Sequence, residues 1–398
     1  MSLTAKPTAG TQADKRGENP LKALNRFGQS VWFDYIRRDL ITTGQLARLI
    51  DEDGLRGMTS NPTIFEKAIT GSPDYVQALA ELAKRKDLDA TGIYENLAIR
   101  DIQDAAAALR PVYEQTKRRD GYVSLEVSPY LAHKTQETID EACRLWKAVG
   151  RENVMIKVPG TPEGIPAIRE LTGRGLNINV TLLFAQEVYE RVAEAYIAGL
   201  EDLAERGGDL SRIGSVASFF VSRIDTLIDG KIAETLKNPP AGSDPSLLRG
   251  LQGKVAIANA KLTYQRYKEI FSGSRWQALA GRGAVTQRVL WASTGTKNPA
   301  YSDVYYIEGL IGPDTVNTIP PATFDAYRDH GNPHASLEEN IEAARRTMLD
   351  LARAGISMKA VTDQLTEDGV RLFAEAFDKL LAAVGKQAAA SASASPNR

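Results

Sequence analysis

Apolar segments of five to seven residues recur along the chain, each followed by a stretch with helical spacing. The pattern predicts strands at 31–36, 55–61, 122–128, 154–158, 176–181, 216–221, 288–294 and 315–319. Helical periodicity lies between them, as over 185–206. The last helix is the clearest: Val370, Phe373, Ala374, Phe377, Leu380, Leu381 and Val384 share one face. Alternating β and α elements predict an α/β fold with a parallel sheet. About eight strands is the number that closes a barrel. The competing arrangement is an open doubly wound sheet. No G-x-G-x-x-G follows an early strand, which weakens its dinucleotide-binding version. The expected architecture is a single (β/α)8 TIM barrel with additional helices, spanning 21–386.

Side chains alternate across a strand, so the polar residues in these segments mark a face. In Val154-Met155-Ile156-Lys157-Val158 the β-branched residues share one face and Lys157 takes the other. Glu126 stands opposite the aliphatics of its segment, and Asn177, Asn179 and Thr181 share a face. Asp34 interrupts Val-Trp-Phe-Asp-Tyr-Ile, and Asn61 ends its strand before Pro62. Ser218 and Ser293 lie near the ends of the sixth and seventh segments. In a barrel such groups converge at the C-terminal mouth, where barrel enzymes keep their active sites. A buried Asp or Asn taken alone is as readily a satisfied strand-end residue. Lys157 is different, because lysine is almost never fully buried in an aliphatic strand without a reason. Its plain alternative is an edge strand with the lysine in water.

Composition narrows the chemistry. The 398 residues carry 49 Lys+Arg against 50 Asp+Glu, which gives no bulk attraction to nucleic acid or an anionic membrane. One cysteine, Cys143, cannot form an internal disulfide. His133, His330 and His334 are too few for most histidine metal clusters, and the 330–334 loop has no ligand in metal spacing. The Lys117-Arg118-Arg119 cluster suits a helix C-terminus. Residues 1–20 lack the apolar stretch of a secretory signal and read, like the Ala-Ser-rich 387–398, as a disordered tail. No run reaches the length of a membrane span. A cytoplasmic location, with no nucleic acid or membrane partner, follows as an expectation; a homodimer is compatible with the sequence. The segment 237–245 reads as a Pro/Gly loop within the domain.

An unprotonated lysine amine can attack a ketone and form a Schiff base, which serves as an electron sink for breaking an adjacent C–C bond. This chemistry needs an acid/base for the substrate hydroxyl, a carboxylate for proton shuttling, and hydrogen bonds that keep the enamine from water. Asp34, Glu126, Asn61, Asn179, Thr181 and Ser218 supply those types.

Gly57-Met58-Thr59-Ser60-Asn61-Pro62-Thr63-Ile64 resembles the T-S-N-P motif of the transaldolase family. Ile156-Lys157-Val158-Pro159-Gly160-Thr161-Pro162-Glu163-Gly164 is similar to its Schiff-base lysine motif, and Asn179-Val180-Thr181-Leu182-Leu183-Phe184 to its fifth-strand motif. The likeness runs on through Ser218-Phe219-Phe220-Val221-Ser222-Arg223-Ile224-Asp225. The resemblance implies a (β/α)8 barrel with no metal or organic cofactor. It implies transfer of a dihydroxyacetone unit from sedoheptulose 7-phosphate to glyceraldehyde 3-phosphate, a reaction of the pentose phosphate pathway. Carried over by motif, Lys157 forms the Schiff base, Asp34 is the acid/base at the cleaved bond, and Glu126 and Thr181 hold a proton-relaying water. Asn61, Asn179 and Ser218 position substrate hydroxyls.

The phosphate end departs from the shorter members of the family. Arg223 matches their first phosphate arginine, but Ser293-Thr294-Gly295-Thr296-Lys297-Asn298-Pro299 lacks the second, so Lys297 stands as the candidate cation beside Ser293. Lysine binds phosphate as a point charge and not as a fork. The Tyr-rich 298–310 and Thr318-Ile319-Pro320-Pro321 resemble a longer bacterial form. The alternatives are an aldolase of related fold that releases the enamine to solvent, and a catalytically silent phosphosugar-binding barrel.

Overall fold

The computed structural model describes residues 18–240 and 244–393. Eight parallel strands close into a barrel in chain order: β1 (Gln29–Asp34), β2 (Leu55–Thr59), β3 (Tyr122–Glu126), β4 (Val154–Pro159), β5 (Ile178–Leu183), β6 (Ser215–Phe220), β7 (Arg288–Ala292) and β8 (Thr315–Ile319). Every segment read from the apolar pattern is a strand, and the ends move for identifiable reasons. β1 starts earlier because Gln29, a residue the pattern does not count, is buried and donates Nε2 to Leu310 O and Thr315 Oγ1 (2.7 and 3.0 Å). β2 stops at Thr59 because Asn61, at φ −157°, caps the next helix (Pro62–Gly71) and accepts from Ile64 N–H at 3.0 Å. β5 runs to Leu183 through a register shift against β6, with Leu182 in the left-handed region at φ +61°. β7 ends one residue before Ser293, at φ +55°.

Two polar systems occupy the barrel interior. At its N-terminal end, Arg288 donates to Asp120 Oδ1 (2.8 Å) and Ser30 Oγ (2.7 Å), and Trp32 Nε1 reaches the same carboxylate at 3.2 Å. The indole fills the axis so completely that a Cβ on Gly57 of β2 would stand 2.5 Å from its ring. Burial alone would raise the Asp120 pKa; the Arg288 charge and hydrogen bond, with Ser30 and Arg56, hold it below the usual carboxylate range. The second system is at the C-terminal mouth.

The C-terminal helix (Met358–Ser393) lies against that mouth. Gly369 lets it approach the bend of β5: a Cβ there would meet Leu182 Cδ2 at 2.7 Å. Phe377 seats it by edge-to-face contacts with Tyr94 (5.7 Å) and Tyr130 (6.3 Å). The helix continues past Gln387, where the sequence reading begins a disordered tail, and buries Ala388. Alanine is the best helix former, so Ala-rich composition there extends the helix. Residues 1–17 of the expected N-terminal tail, 241–243 of the expected loop and 394–398 fall outside the described residues. No helix among the described residues is long and apolar enough to cross a membrane.

Candidate active site

Lys157 and Glu126 are register partners on adjacent strands, β4 and β3, and both point inward. Strand alternation puts them there: the flanking Ile156, Val158 and Leu125 pack outward under the helices, leaving the intervening residues no other side. Lys157 is only 6% exposed. Its Nζ donates to Ser60 O at 2.9 Å and to Glu126 Oε2 at 3.3 Å. Phe373, from the C-terminal helix, sets its ring centroid 5.9 Å from the same nitrogen. The amine is thus held by a carbonyl and a carboxylate inside an apolar wall, with no bulk water on most of its surface.

Burial raises the Glu126 pKa; the charge and hydrogen bond of Lys157 oppose this, and the Asp34 charge adds to it. Asp34, at the end of β1, is likewise raised by burial. A 2.6 Å hydrogen bond from Thr59 Oγ1 and the charges of Lys157, Lys297 and Arg223 pull it back. Two carboxylates therefore share one cation within a single enclosure, an arrangement suited to passing protons at moderate pH.

Across the barrel, Ser218 Oγ donates to Asn179 Oδ1 at 2.6 Å, and Asn179 Nδ2 donates to Ser124 Oγ at 3.0 Å. The chain spans β6, β5 and β3 and fixes the amide orientation. Thr181 is 1% exposed, and its Oγ1 has no partner among the described residues. A buried hydroxyl of that kind calls for a substrate group or water. Asn61 serves as a helix cap, so its Oδ1 is taken and its amide NH2 is what it can offer the mouth.

The phosphate-end candidates divide. Arg223 opens the helix after β6 (Ser222–Lys237), lies over Phe220 at 5.2 Å, and is lowered from its ordinary pKa by burial, against the pull of Asp34. It lines a cavity of about 430 Å³ with Lys67, Phe373 and Lys379. Lys297 is exposed and lines a different cavity, although both charges reach Asp34. Between them Ser293 Oγ and Ser222 Oγ are 3.0 Å apart.

Sequence reasoning missed Thr59, Ser60, Ser124, Ser222 and Phe373. Thr59 and Ser124 lie two residues before Asn61 and Glu126, so the alternation that marked their neighbours also marks them. Ser60 acts through its carbonyl, which sequence does not display. The fold also brings Asp303 within 3.0 Å of His330, an acidic neighbour the loop sequence does not show.

A lysine buried beside a carboxylate at the C-terminal mouth of a (β/α)8 barrel, with a second carboxylate facing it, defines a barrel enzyme of carbonyl chemistry. The family model described as Transaldolase/Fructose-6-phosphate aldolase matches residues 31–384, and the chain belongs to that family. Among its relatives, the "Transaldolase" of Trichodesmium erythraeum is 49% identical over 365 residues, covering 91% of this chain and 96% of the relative. The "Transaldolase" of Thiobacillus denitrificans is 47% identical, covering 92% and 100%, and that of Parafrankia sp. is 44% identical, covering 94% and 99%.

Proposed function

We propose that this chain is a cofactor-free transaldolase acting through a Schiff base on Lys157. The carrying observation is the Lys157 amine, buried and held between Ser60 O and Glu126. The unprotonated amine attacks the C2 carbonyl of a ketose phosphate. Glu126, raised by burial, donates a proton to the departing hydroxyl as water leaves and the imine forms. Asp34 takes the proton of the C4 hydroxyl, the C3–C4 bond breaks, and the electron pair enters the iminium. The aldose phosphate departs and a dihydroxyacetone enamine stays on Lys157. An incoming aldehyde accepts the enamine carbon, Asp34 returns its proton to the new hydroxyl, and water on Glu126 and Thr181 hydrolyses the imine. Asn61, Asn179 and Ser218 hold the unit's hydroxyls, while Arg223, Ser293 and Lys297 take the phosphate end. Sugar phosphates of the pentose phosphate pathway are the substrates of this reading, and the cytoplasm its place.

Borohydride reduction in the presence of fructose 6-phosphate tests it. The expected product is a dihydroxyacetone-derived adduct on the peptide containing Lys157; an adduct on another lysine overturns the mechanism. The family also contains aldolases that release the enamine to solvent. Fructose 6-phosphate cleavage with and without erythrose 4-phosphate separates the two, and acceptor-independent release of dihydroxyacetone at a comparable rate would sink the transferase reading.

A further inference from the structure

The Tyr-rich segment after β7 has no role in the chemistry above, yet its phenols converge on the helix that carries Arg223. Tyr301 Oη donates to Asp229 Oδ2 at 2.7 Å, and Tyr306 Oη donates to Asp225 Oδ2 at 3.1 Å. Asp225 and Asp229 lie two and six residues after Arg223, one turn apart on the same helix. Each carboxylate is anchored a second time by backbone, Asp225 Oδ1 by Ala256 N–H (2.8 Å) and Asp229 Oδ1 by Gly253 N–H (3.1 Å). Tyr305 Oη donates to Gly253 O at 2.8 Å, closing the set.

The segment is tied at its near end as well. Thr296 Oγ1 donates to Ser302 O at 2.8 Å, bending the chain back on itself around Lys297. The Lys297 ammonium stands 3.9 Å from where a Cβ on Gly295 would be, beside Pro320 and Thr323, and its charge reaches Asp34. Asp225, Asp229, Lys297, Asn298, Tyr301 and Tyr306 together line one cavity of about 320 Å³.

We propose that Tyr301, Tyr306, Asp225 and Asp229 form a clasp that positions Lys297 relative to Arg223 and so sets recognition of the substrate phosphate. A lysine is a point charge on a flexible stem and does not impose orientation itself. Fixing the loop that bears it recovers what an arginine fork would supply. The clasp residues touch no substrate; they are positioning residues. The proposal rests on the reading of Arg223 and Lys297 as the phosphate cations.

The test is steady-state kinetics at saturating sedoheptulose 7-phosphate, comparing glyceraldehyde 3-phosphate with unphosphorylated glyceraldehyde as acceptor. The variants are Tyr301→Phe, Tyr306→Phe, their combination, and Lys297→Ala. The phenylalanine variants keep the packing, and a thermal melt checks folding. The expected result for Tyr301→Phe with Tyr306→Phe is a KM for the phosphorylated acceptor raised about threefold or more, the scale of a lost charged hydrogen bond acting at one remove. The KM for glyceraldehyde and the kcat stay unchanged. Equal rises for both acceptors, or no rise, overturn the clasp. If Lys297→Ala raises the phosphate KM and the tyrosine variants do not, the cation reading stands and the clasp is wrong. If Lys297→Ala has no effect, the cation reading fails and the clasp falls with it, whatever the tyrosine variants show.

Discussion

Thr59 donates a 2.6 Å hydrogen bond to Asp34 across the β1–β2 ladder, and its oxygen lies 2.7 Å from Thr318 Oγ1 on β8. Three adjacent strands thus place one hydroxyl on the carboxylate that burial is pushing toward its neutral form. The bond favours the ionised state, which is the state a base needs.

Replacing Thr59 by Val removes that donor without changing the volume much. The Asp34 pKa, already raised by burial, rises further, so the acid limb of the kcat/KM profile for ketose cleavage moves to higher pH. One hydrogen bond to a charged group corresponds to a displacement of about one pH unit. Thr59→Ser keeps the hydroxyl and restores the limb. A pH–rate profile of the three proteins decides it; an unmoved limb in Thr59→Val would remove Asp34 from the role of base.

The Arg288–Asp120 pair lies at the opposite end of the barrel and is expected to matter for folding alone. Both side chains are almost wholly buried, at 4% and 0% exposure. Asp120→Asn leaves the guanidinium without its counter-charge, and breaking a buried pair costs about 3–5 kcal/mol. The chemical-denaturation midpoint falls accordingly, while turnover per folded molecule is unchanged. Loss of turnover in the folded variant would mean that the two ends of the barrel are coupled.

Both behaviours draw on residues that differ in how legible they were. Lys157, Glu126 and Asn179 could be placed because each is a polar residue alternating with aliphatics, and a barrel offers such a residue only the interior. Strand ends were off by a few residues wherever a polar side chain had a specific task, as Gln29 does in starting β1 and Asn61 in capping a helix. Arg288 and Asp120 were not legible, because an arginine at the first position of a strand looks like any surface cation until the pairing is known. Phe373 was visible as part of a helical stripe, but periodicity says which face is buried and not what it is buried against. The helix through Gln387 was lost because low complexity was taken as lack of structure, when alanine favours helix.

Asp225 gives the stability of the protein a definite pH dependence. Burial, with the nearby Asp229 charge, pushes its pKa up to about 7, against a backbone hydrogen bond from Ala256 and the Tyr306 hydroxyl. A carboxylate whose folded pKa exceeds its unfolded value of 3.8 binds its proton more tightly in the native state. Its contribution therefore favours folding increasingly as pH falls from about 7 toward 4 and is lost above 7. Asp225→Asn is permanently neutral and nearly isosteric. Its melting temperature exceeds that of the unsubstituted protein at pH 8, and the gap closes near pH 5. Calorimetry at the two pH values reads this directly, and a gap that widens on acidification would reverse the sign of the argument.

Phe373 closes the enclosure around Lys157 from the C-terminal helix, with its ring centroid 5.9 Å from Nζ. An enamine on that nitrogen survives only while water is kept from it, and the ring covers the side facing the mouth. Phe373→Ala opens that side. The ring is only partly buried and the helix is held independently by Phe377, Leu380 and Val384, so the fold persists with a modest loss of stability. Transfer to an acceptor aldehyde then competes with protonation of the enamine by entering water. The measurable outcome is a severalfold rise in free dihydroxyacetone released from fructose 6-phosphate without acceptor, relative to the transfer rate. Borohydride trapping on Lys157 remains, since the amine and its partners Ser60 and Glu126 are untouched. If transfer and release fall together in the same proportion, the ring acts in forming the imine and not in shielding it.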